Sequence, residues 1–220
     1  MILEEEITDK KNMFCFHPHG ILVMSLPFSC LRHPVLFKSK MLASRALCLA
    51  PLSGLLLKWL GGSEVSPKKF KQYLENGDNL CFSPGGFEEA TISDHRRDRV
   101  YINNRKGFVK YALEYGYKMY PCYTFNENKA YFTYNGFEKI RLWLNKFKMP
   151  AAVFIGKYWI FPNDNLRFYT VMGKGIECPK IDNPTHQQVE EYHQKYVEEL
   201  KRIYYSYKDK YGGSDVLDIL

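Results

Sequence analysis

The sequence predicts a single α/β domain, residues 1–220, with a central sheet flanked by helices. Three observations support this fold class. Short apolar runs alternate with amphipathic stretches along the chain, and no linker, internal repeat or low-complexity segment interrupts the alternation. The 220 residues, 45% of them hydrophobic, are also enough to build one sizeable core.

Four apolar runs are typical of strands. They lie at residues 13–17, 79–84, 118–125 and 151–155. The second run stops at Pro84-Gly85-Gly86, a sequence that marks a turn.

Three helices are predicted from their end signals and apolar faces. Ser66-Pro67 reads as an N-cap followed by proline at the first helical position, and Gly77 ends that helix. Residues 107–116 form a short amphipathic helix. Thr185 and Gln188 form a capping box before the longest helix, in which apolar residues recur every three or four positions.

Composition limits the cellular compartment and the kind of binding partner that we expect for this protein. The net charge of +7 suits an anionic partner such as a phospholipid or a phosphorylated ligand. A nucleic-acid partner is not expected, because the chain has no stacking motif and no basic stripe. The six cysteines are scattered, without a C-x-x-C pair, so we expect no zinc site, no disulfide framework and a reduced, cytosol-facing protein.

The most apolar stretch is Ala46 to Leu57, bounded by Arg45 and Lys58 and interrupted by Pro51. It is shorter than the ~18 apolar residues expected of a spanning helix, and the N-terminus does not read as a secretory signal. We therefore expect either a buried core helix or a segment that docks peripherally on a membrane and guides a lipid toward the site.

His17-Pro18-His19-Gly20 follows the first strand, where α/β proteins tend to place their sites. Proline and glycine make a rigid turn that can aim an imidazole out of the sheet, where it acts as a general base. The alternatives are structural histidines and a metal pair, and the second is poorly supported because no further ligand cluster accompanies these two residues.

Two further stretches contain groups suited to catalysis or anion binding. Glu88 and Glu89 follow the Pro84-Gly85-Gly86 turn, where they either offset a helix dipole or orient a catalytic histidine. Arg105 and Lys106 begin a helix, where cations gain nothing locally. This favours a bound anion such as a phosphate, or an ion pair made elsewhere.

Together these motifs resemble the diacylglycerol acyltransferase type-two family, which includes monoacylglycerol and wax-ester acyltransferases. The matching stretches are HPHG (17–20), PGG-x-x-E (84–89), RKGFVKYALEYG (105–116), PCYTFNEN (121–128) and the segment 182–200. The resemblance runs from about residue 13 to residue 211.

The resemblance implies the α/β fold of glycerolipid acyltransferases, with a central mixed sheet flanked by helices. It also implies transfer of a fatty acyl group from acyl-CoA to the hydroxyl of diacylglycerol, which makes triacylglycerol. Monoacylglycerol and a fatty alcohol stay open as acceptors, and so does a catalytically inactive lipid-binding relative. Acyl-CoA is a co-substrate in this scheme, with no cofactor and no metal.

The resemblance also favours particular residues for each role. His19 is the expected base, with His17 supporting the turn or donating to the oxyanion. Related acyltransferases have an Asp five residues after the His, but Leu22 and Met24 stand at those offsets here. Glu89 is therefore the expected partner of the base, with Glu88 in reserve.

The acyl-CoA is expected to contact the glycine turn and the start of the basic helix. Backbone N–H groups of Gly85 and Gly86 would stabilise the oxyanion. Arg105, Lys106 and Gly107 would hold the CoA phosphates.

The expected location is the cytosolic face of the endoplasmic reticulum membrane, and also the lipid droplet. The family usually has a hydrophobic hairpin ahead of HPHG, but only 16 residues precede His17 here. We therefore expect peripheral attachment to the membrane surface. The sequence is compatible with either a monomer or a homo-oligomer.

Overall fold

The computed structural model describes residues 1–7, 10–49, 51–147, 151–159 and 161–220. The side chains of residues 46, 51–53 and 56 also lie outside the described part.

Strands are distributed along the whole of this described part. Their bounds are β1 Ile2–Leu3, β2 Asn12–His17, β3 Lys40–Ala43, β4 Ser63–Glu64, β5 Leu80–Phe82, β6 Asp98–Val100, β7 Lys118–Phe125, β8 Phe132–Tyr134, β9 Val153–Ile155, β10 Tyr169–Met172, β11 Ile176–Glu177 and β12 Leu217–Ile219.

Eight of these strands form one sheet, in the order β1-β10-β7-β2-β5-β3-β4, with β11 added beside β7. The sheet is mixed, because β2 runs parallel to both β5 and β7 whereas β10 and β11 run antiparallel to β7. Two separate strand pairs, β6 with β12 and β8 with β9, lie outside it. The predicted fold class, a mixed sheet flanked by helices, is confirmed.

Helices connect the strands. Their bounds are α1 Ser25–Arg32, α2 Pro34–Lys38, α3 Arg45–Leu49, α4 Pro51–Trp59, α5 Pro67–Glu75, α6 Gly86–Ile92, α7 Gly107–Tyr115, α8 Glu138–Asn145 and α9 His186–Tyr211, with a 3₁₀ turn at Glu127–Ala130. None of the helices in the described part is long and apolar enough to cross a membrane.

The sheet is covered on both faces, and β2 shows how the sequence achieves this. Side chains alternate along a strand. Met13 and Cys15 therefore point into the core formed with α5, α7 and α9, and Phe14 and Phe16 point into the core formed with α1 and α2. Because β2 is buried on both faces, it reads as one continuous apolar run.

The end signals predicted several helices correctly. Ser66 caps α5 by accepting a hydrogen bond from the backbone N–H of Lys69 at 3.4 Å. Both halves of the capping box between Thr185 and Gln188 are present at the start of α9. The predicted helix at 107–116 is α7.

The structure adds detail to two of the predicted stretches. The run at 151–155 does contain a strand, but β9 pairs with β8 outside the main sheet. The stretch from Ala46 to Leu57 spans parts of α3 and α4, and residue 50 between them lies outside the described part. Leu49 and Leu55 are 71% and 45% exposed, so these two side chains are not buried core.

Candidate active site

Strand β2 determines where His17 points. His17 continues the face of Met13 and Cys15, so its ring is directed into the core toward α9 and not toward solvent. The parallel neighbours β5 and β7 end on the same side of the sheet, and the Pro84-Gly85-Gly86 turn follows β5. The histidine turn and the glycine turn therefore meet at the carboxyl ends of central strands.

His17 is fully buried, and both of its ring nitrogens have partners. Nδ1 lies 3.3 Å from each carboxylate oxygen of Glu89, and Nε2 lies 2.9 Å from the hydroxyl of Tyr196 in α9. With the proton on Nδ1 facing the carboxylate, Nε2 accepts from the Tyr196 hydroxyl. Both ring nitrogens of His17 are therefore occupied, and neither is left to donate to an oxyanion.

Glu89 connects three segments of the chain from a position that is only 1% exposed. Besides facing His17, its Oε1 accepts the backbone N–H of His19 at 2.5 Å and its Oε2 accepts the backbone N–H of Tyr101 at 3.0 Å. From the sequence, this carboxylate is expected to contact the imidazole of His19. In the structure it contacts the imidazole of His17 and only the backbone of His19.

The glycine turn is shaped around Glu89. A Cβ atom at Gly85 would lie 1.9 Å from Oε2 of Glu89, so no other residue fits there without displacing the carboxylate. Gly86 begins α6 with φ +59°, a conformation that favours glycine. Glu88 is half-buried and forms an ion pair with Arg105. The pairing with a histidine thus belongs to Glu89.

His19 is half-buried, at the mouth of the turn. Its Nδ1 lies 3.0 Å from the carbonyl oxygen of Gly20, which can only accept, so Nδ1 carries the proton of the neutral ring. Nε2 is then the basic nitrogen, and it makes no hydrogen bond to any described residue. Burial lowers the pKa of the His19 imidazole below its usual 6.5, which keeps the ring neutral near pH 7.

Glu127, which the sequence analysis missed, supports the turn from the other side. A Cβ atom at Gly20 (φ +55°) would lie 2.9 Å from Cγ of Glu127. The Glu127 carboxylate accepts the backbone N–H groups of Met24 at 2.7 Å and Ser25 at 3.0 Å, at the start of α1. Burial raises the pKa of Glu127 to about 7. The sequence signals were an acidic residue two positions after the carboxyl end of β7 and its place within the matching stretch 121–128.

Arg105 lies next to the glycine turn. Its Nη2 lies 4.0 Å from the position of a Cβ at Gly86, it pairs with Glu88, and its guanidinium is 5.6 Å from the centre of the Tyr101 ring. The structure therefore brings Arg105 together with the predicted Gly85 and Gly86.

Lys106 points away from that turn. Its Nζ lies 2.5 Å from Oε2 of Glu190 in α9. Gly107 begins α7, and a Cβ added there would meet no atom within 4 Å. Both cations of the helix start thus have a carboxylate partner in the structure. Of the two explanations offered by the sequence, the ion pair is observed.

No group of three or more His, Cys, Asp or Glu side chains within the described ranges is placed to hold a metal ion.

Comparison with known proteins identifies the family. The family model for diacylglycerol acyltransferase matches residues 2–219. Diacylglycerol O-acyltransferase 2 of Dictyostelium discoideum is 28% identical, over 95% of this chain and 70% of its own length. Mouse (Mus musculus) 2-acylglycerol O-acyltransferase 1 is 31% identical over 91% and 66%, and human (Homo sapiens) diacylglycerol O-acyltransferase 2 is 27% identical over 97% and 61%.

Among solved structures, the 1-acyl-sn-glycerophosphate (LPA) acyltransferase PlsC of Thermotoga maritima aligns with a TM-score of 0.48 and 15% identity, over 91% of this chain and 71% of that one. The chain spans between about half and seven-tenths of the length of the curated relatives it matches. With a family match over nearly every residue, this chain belongs to the diacylglycerol acyltransferase family.

Proposed function

We propose that this protein is an O-acyltransferase that moves a fatty acyl group from acyl-CoA to the hydroxyl of diacylglycerol. The observation that supports it most strongly is the state of His19: a neutral ring with its proton fixed toward Gly20 and Nε2 free at the mouth of the turn. Such a nitrogen can take a proton from an alcohol. Family membership supplies the class of reaction.

The reaction would proceed in two steps. Nε2 of His19 takes the hydroxyl proton of the acceptor while the acceptor oxygen attacks the thioester carbonyl carbon of acyl-CoA. The tetrahedral intermediate then collapses, the C–S bond breaks, and the CoA sulfur takes the proton from Nε2. The products are the ester and free CoA, and the scheme requires neither a metal nor a cofactor. The oxyanion would be held by backbone N–H groups of Gly85 and Gly86.

The supporting network would act through position rather than through contact with substrate. Glu89 holds the backbone of His19 and the ring of His17 at once. Glu127 supports Gly20, whose carbonyl fixes the tautomer of His19. A base whose orientation is set by buried partners is typical of nucleophilic and acyl-transfer sites.

For acyl-CoA we propose that its phosphates are bound by Arg105 and Lys106, with Gly107 close by. Both cations are only partly buried, and Arg matches phosphate with its planar fork. Because each cation already has a carboxylate partner, phosphate binding would compete with Glu88 and Glu190.

Monoacylglycerol is the second candidate acceptor, because the mouse relative named 2-acylglycerol O-acyltransferase 1 is 31% identical. The test is to express the chain in cells that lack neutral-lipid synthesis and to identify the lipid that accumulates. Triacylglycerol formed with the wild type and not with His19→Ala is the expected result. If diacylglycerol is the only product, monoacylglycerol is the acceptor. If protein that is expressed in soluble form produces no new lipid, the enzymatic role is contradicted.

We further propose peripheral attachment to the cytosolic face of the endoplasmic reticulum membrane and to lipid droplets, in part through residues 46–57. Leu49, Leu55 and the adjacent Trp59 are exposed, which suits an interfacial segment. The side chain of Leu56 lies outside the described part. Leu57 packs against the core, so Leu57→Asp would unfold the protein under either interpretation. Leu49→Asp is the more selective substitution, because this side chain is exposed. A fluorescent fusion of the Leu49→Asp protein should become diffuse in the cell.

A further inference from the structure

An uncovered apolar surface lies on the paired strands β8 and β9. The register places Phe132 opposite Ile155 and Tyr134 opposite Val153, so these four side chains share one side of the pair. Each is between 45% and 55% exposed. The other side is occupied: Thr133, for example, accepts the backbone N–H of His95 at 3.1 Å.

Helix α8 divides in the same way. Arg141 and Asn145 are buried against α6, where Arg141 donates to the carbonyl of Thr91 at 2.8 Å. Ile140 and Trp143 lie on another side of the helix, more than half exposed. The helix is thus attached to the domain by a polar contact and leaves its apolar side uncovered.

The turn that follows β9 presents two further aromatic side chains. Tyr158 and Trp159 are 75% and 77% exposed, and both have positive φ (48° and 77°), a conformation that bulky residues rarely adopt. Backbone hydrogen bonds in both directions between Gly156 and Trp159 close the turn. Strained residues of this kind concentrate at functional sites.

We refer to the exposed apolar residues of β8, α8, β9 and the turn at 156–159 together as the aromatic face. An exposed apolar surface of this extent marks a protein–protein or membrane contact. Tyr and Trp are the residues enriched at the membrane–water interface, because each combines an apolar body with a polar group.

The basic residues around the aromatic face favour a lipid surface over a protein partner. Lys139 and Lys146, at either end of α8, are exposed and form no ion pair with a described residue. Two acids near these residues are already paired, Glu138 with Arg99 at 2.7 Å and Asp164 with Lys157 of the turn. Basic side chains around an apolar surface complement anionic headgroups.

We propose that the aromatic face docks the protein onto a membrane that contains anionic phospholipid. Tyr158 and Trp159 enter the interface, and Lys139 and Lys146 meet the headgroups. This surface is distinct from residues 46–57, and its binding does not depend on acyl transfer. Docking would also place α6, which carries Glu89 and packs on α8, close to the lipid.

The test is flotation with vesicles of phosphatidylcholine mixed with phosphatidylserine, and with vesicles of phosphatidylcholine alone. The wild type should float with the mixed vesicles. The double variant Tyr158→Ser/Trp159→Ser should bind the vesicles at least about tenfold more weakly than the wild type, because two interfacial aromatics are lost. Lys139→Glu/Lys146→Glu should remove the preference for phosphatidylserine. Val216→Ser, at an apolar position elsewhere that is 60% exposed, is the control and should float like the wild type.

Three results would overturn the proposal. One is a double variant that floats like the wild type, above all if Trp59→Ser abolishes flotation instead. The second is a wild type that does not float. The third is a dimeric wild type and a monomeric double variant, which would make the face a contact between two copies. Thermal melting confirms that each variant is folded. Acyl transfer to a detergent-dispersed acceptor reports separately on the proposed function, and we expect it to be unchanged in the double variant.

Discussion

Nδ1 of His17 lies 3.3 Å from both carboxylate oxygens of Glu89, and both side chains are fully buried. The carboxylate thereby holds the first histidine of the turn by its ring and the second, His19, by its backbone N–H. One buried acid thus positions His19 without touching its imidazole. The two histidines consequently have different surroundings, although they stand two residues apart.

Glu89→Gln should lower both stability and turnover. The amide replaces one acceptor oxygen with a donor, so one of the N–H groups that Glu89 accepts is left buried without a partner, at a cost of about 1–3 kcal/mol. Urea unfolding measures the loss. Glu88→Gln, which changes a half-buried ion pair on the same helix, is the control and should cost less than about 1 kcal/mol. Equal effects of the two substitutions would contradict the role given to Glu89.

The pH dependence of turnover should follow His19. Because burial lowers the pKa of this imidazole below 6.5, more than half of the base is already neutral at pH 6.5. We therefore expect kcat/KM to rise with pH with a midpoint below 6.5 and to level off as the pH approaches neutrality. A kcat/KM profile with its midpoint above 6.5 would mean that another group titrates.

Glu127 should make the protein less stable as the pH rises. Its folded-state pKa is about 7 against a usual 4.5, so between these values the folded state keeps a proton that the unfolded state releases. The stabilisation is fully present below pH 4.5 and is lost as the pH rises to about 7, by about 3 kcal/mol in total. The difference in unfolding free energy between wild type and Glu127→Gln, measured from pH 4 to 8, isolates this effect. A difference that does not vary with pH would contradict it.

The two cations before α7 should respond to removal of their partner acids. If Arg105 binds a CoA phosphate, Glu88→Gln frees the guanidinium and should lower the KM for acyl-CoA, whereas Arg105→Ala should raise it, with the KM for the acceptor unchanged in both. Glu190→Gln and Lys106→Ala form the corresponding pair. If Arg105→Ala and Lys106→Ala lower the melting temperature without changing the KM for acyl-CoA, the cations are structural.

The sequence predicted those elements whose signals are local. The capping box of α9, the N-cap of α5 and the apolar runs of β2 and β7 each depend on residues within a few positions. Strand β9 was also predicted, but its partner was not, because pairing depends on where the whole segment packs.

Contacts in the candidate site were harder to predict. Alternation along β2 would have placed His17 on the side of Met13 and Cys15, but its partner Tyr196 lies 179 positions away in the sequence. Gly85 looked like a turn residue, and only the structure shows that the Glu89 carboxylate fills the space of its side chain. Glu127 carried no motif of its own.

The central claim is that Nε2 of His19 is the base, and one comparison tests it most directly. Purified wild type, His19→Ala and His17→Ala are each assayed for acyl transfer from acyl-CoA to diacylglycerol, with thermal melting of each. We expect His19→Ala to lose activity by about 10²- to 10⁴-fold at an unchanged melting temperature, since this ring is half-buried and bonded only locally. His17→Ala should retain more activity but melt at a lower temperature, since it removes a buried ring with two partners. Wild-type turnover by folded His19→Ala protein would contradict the account.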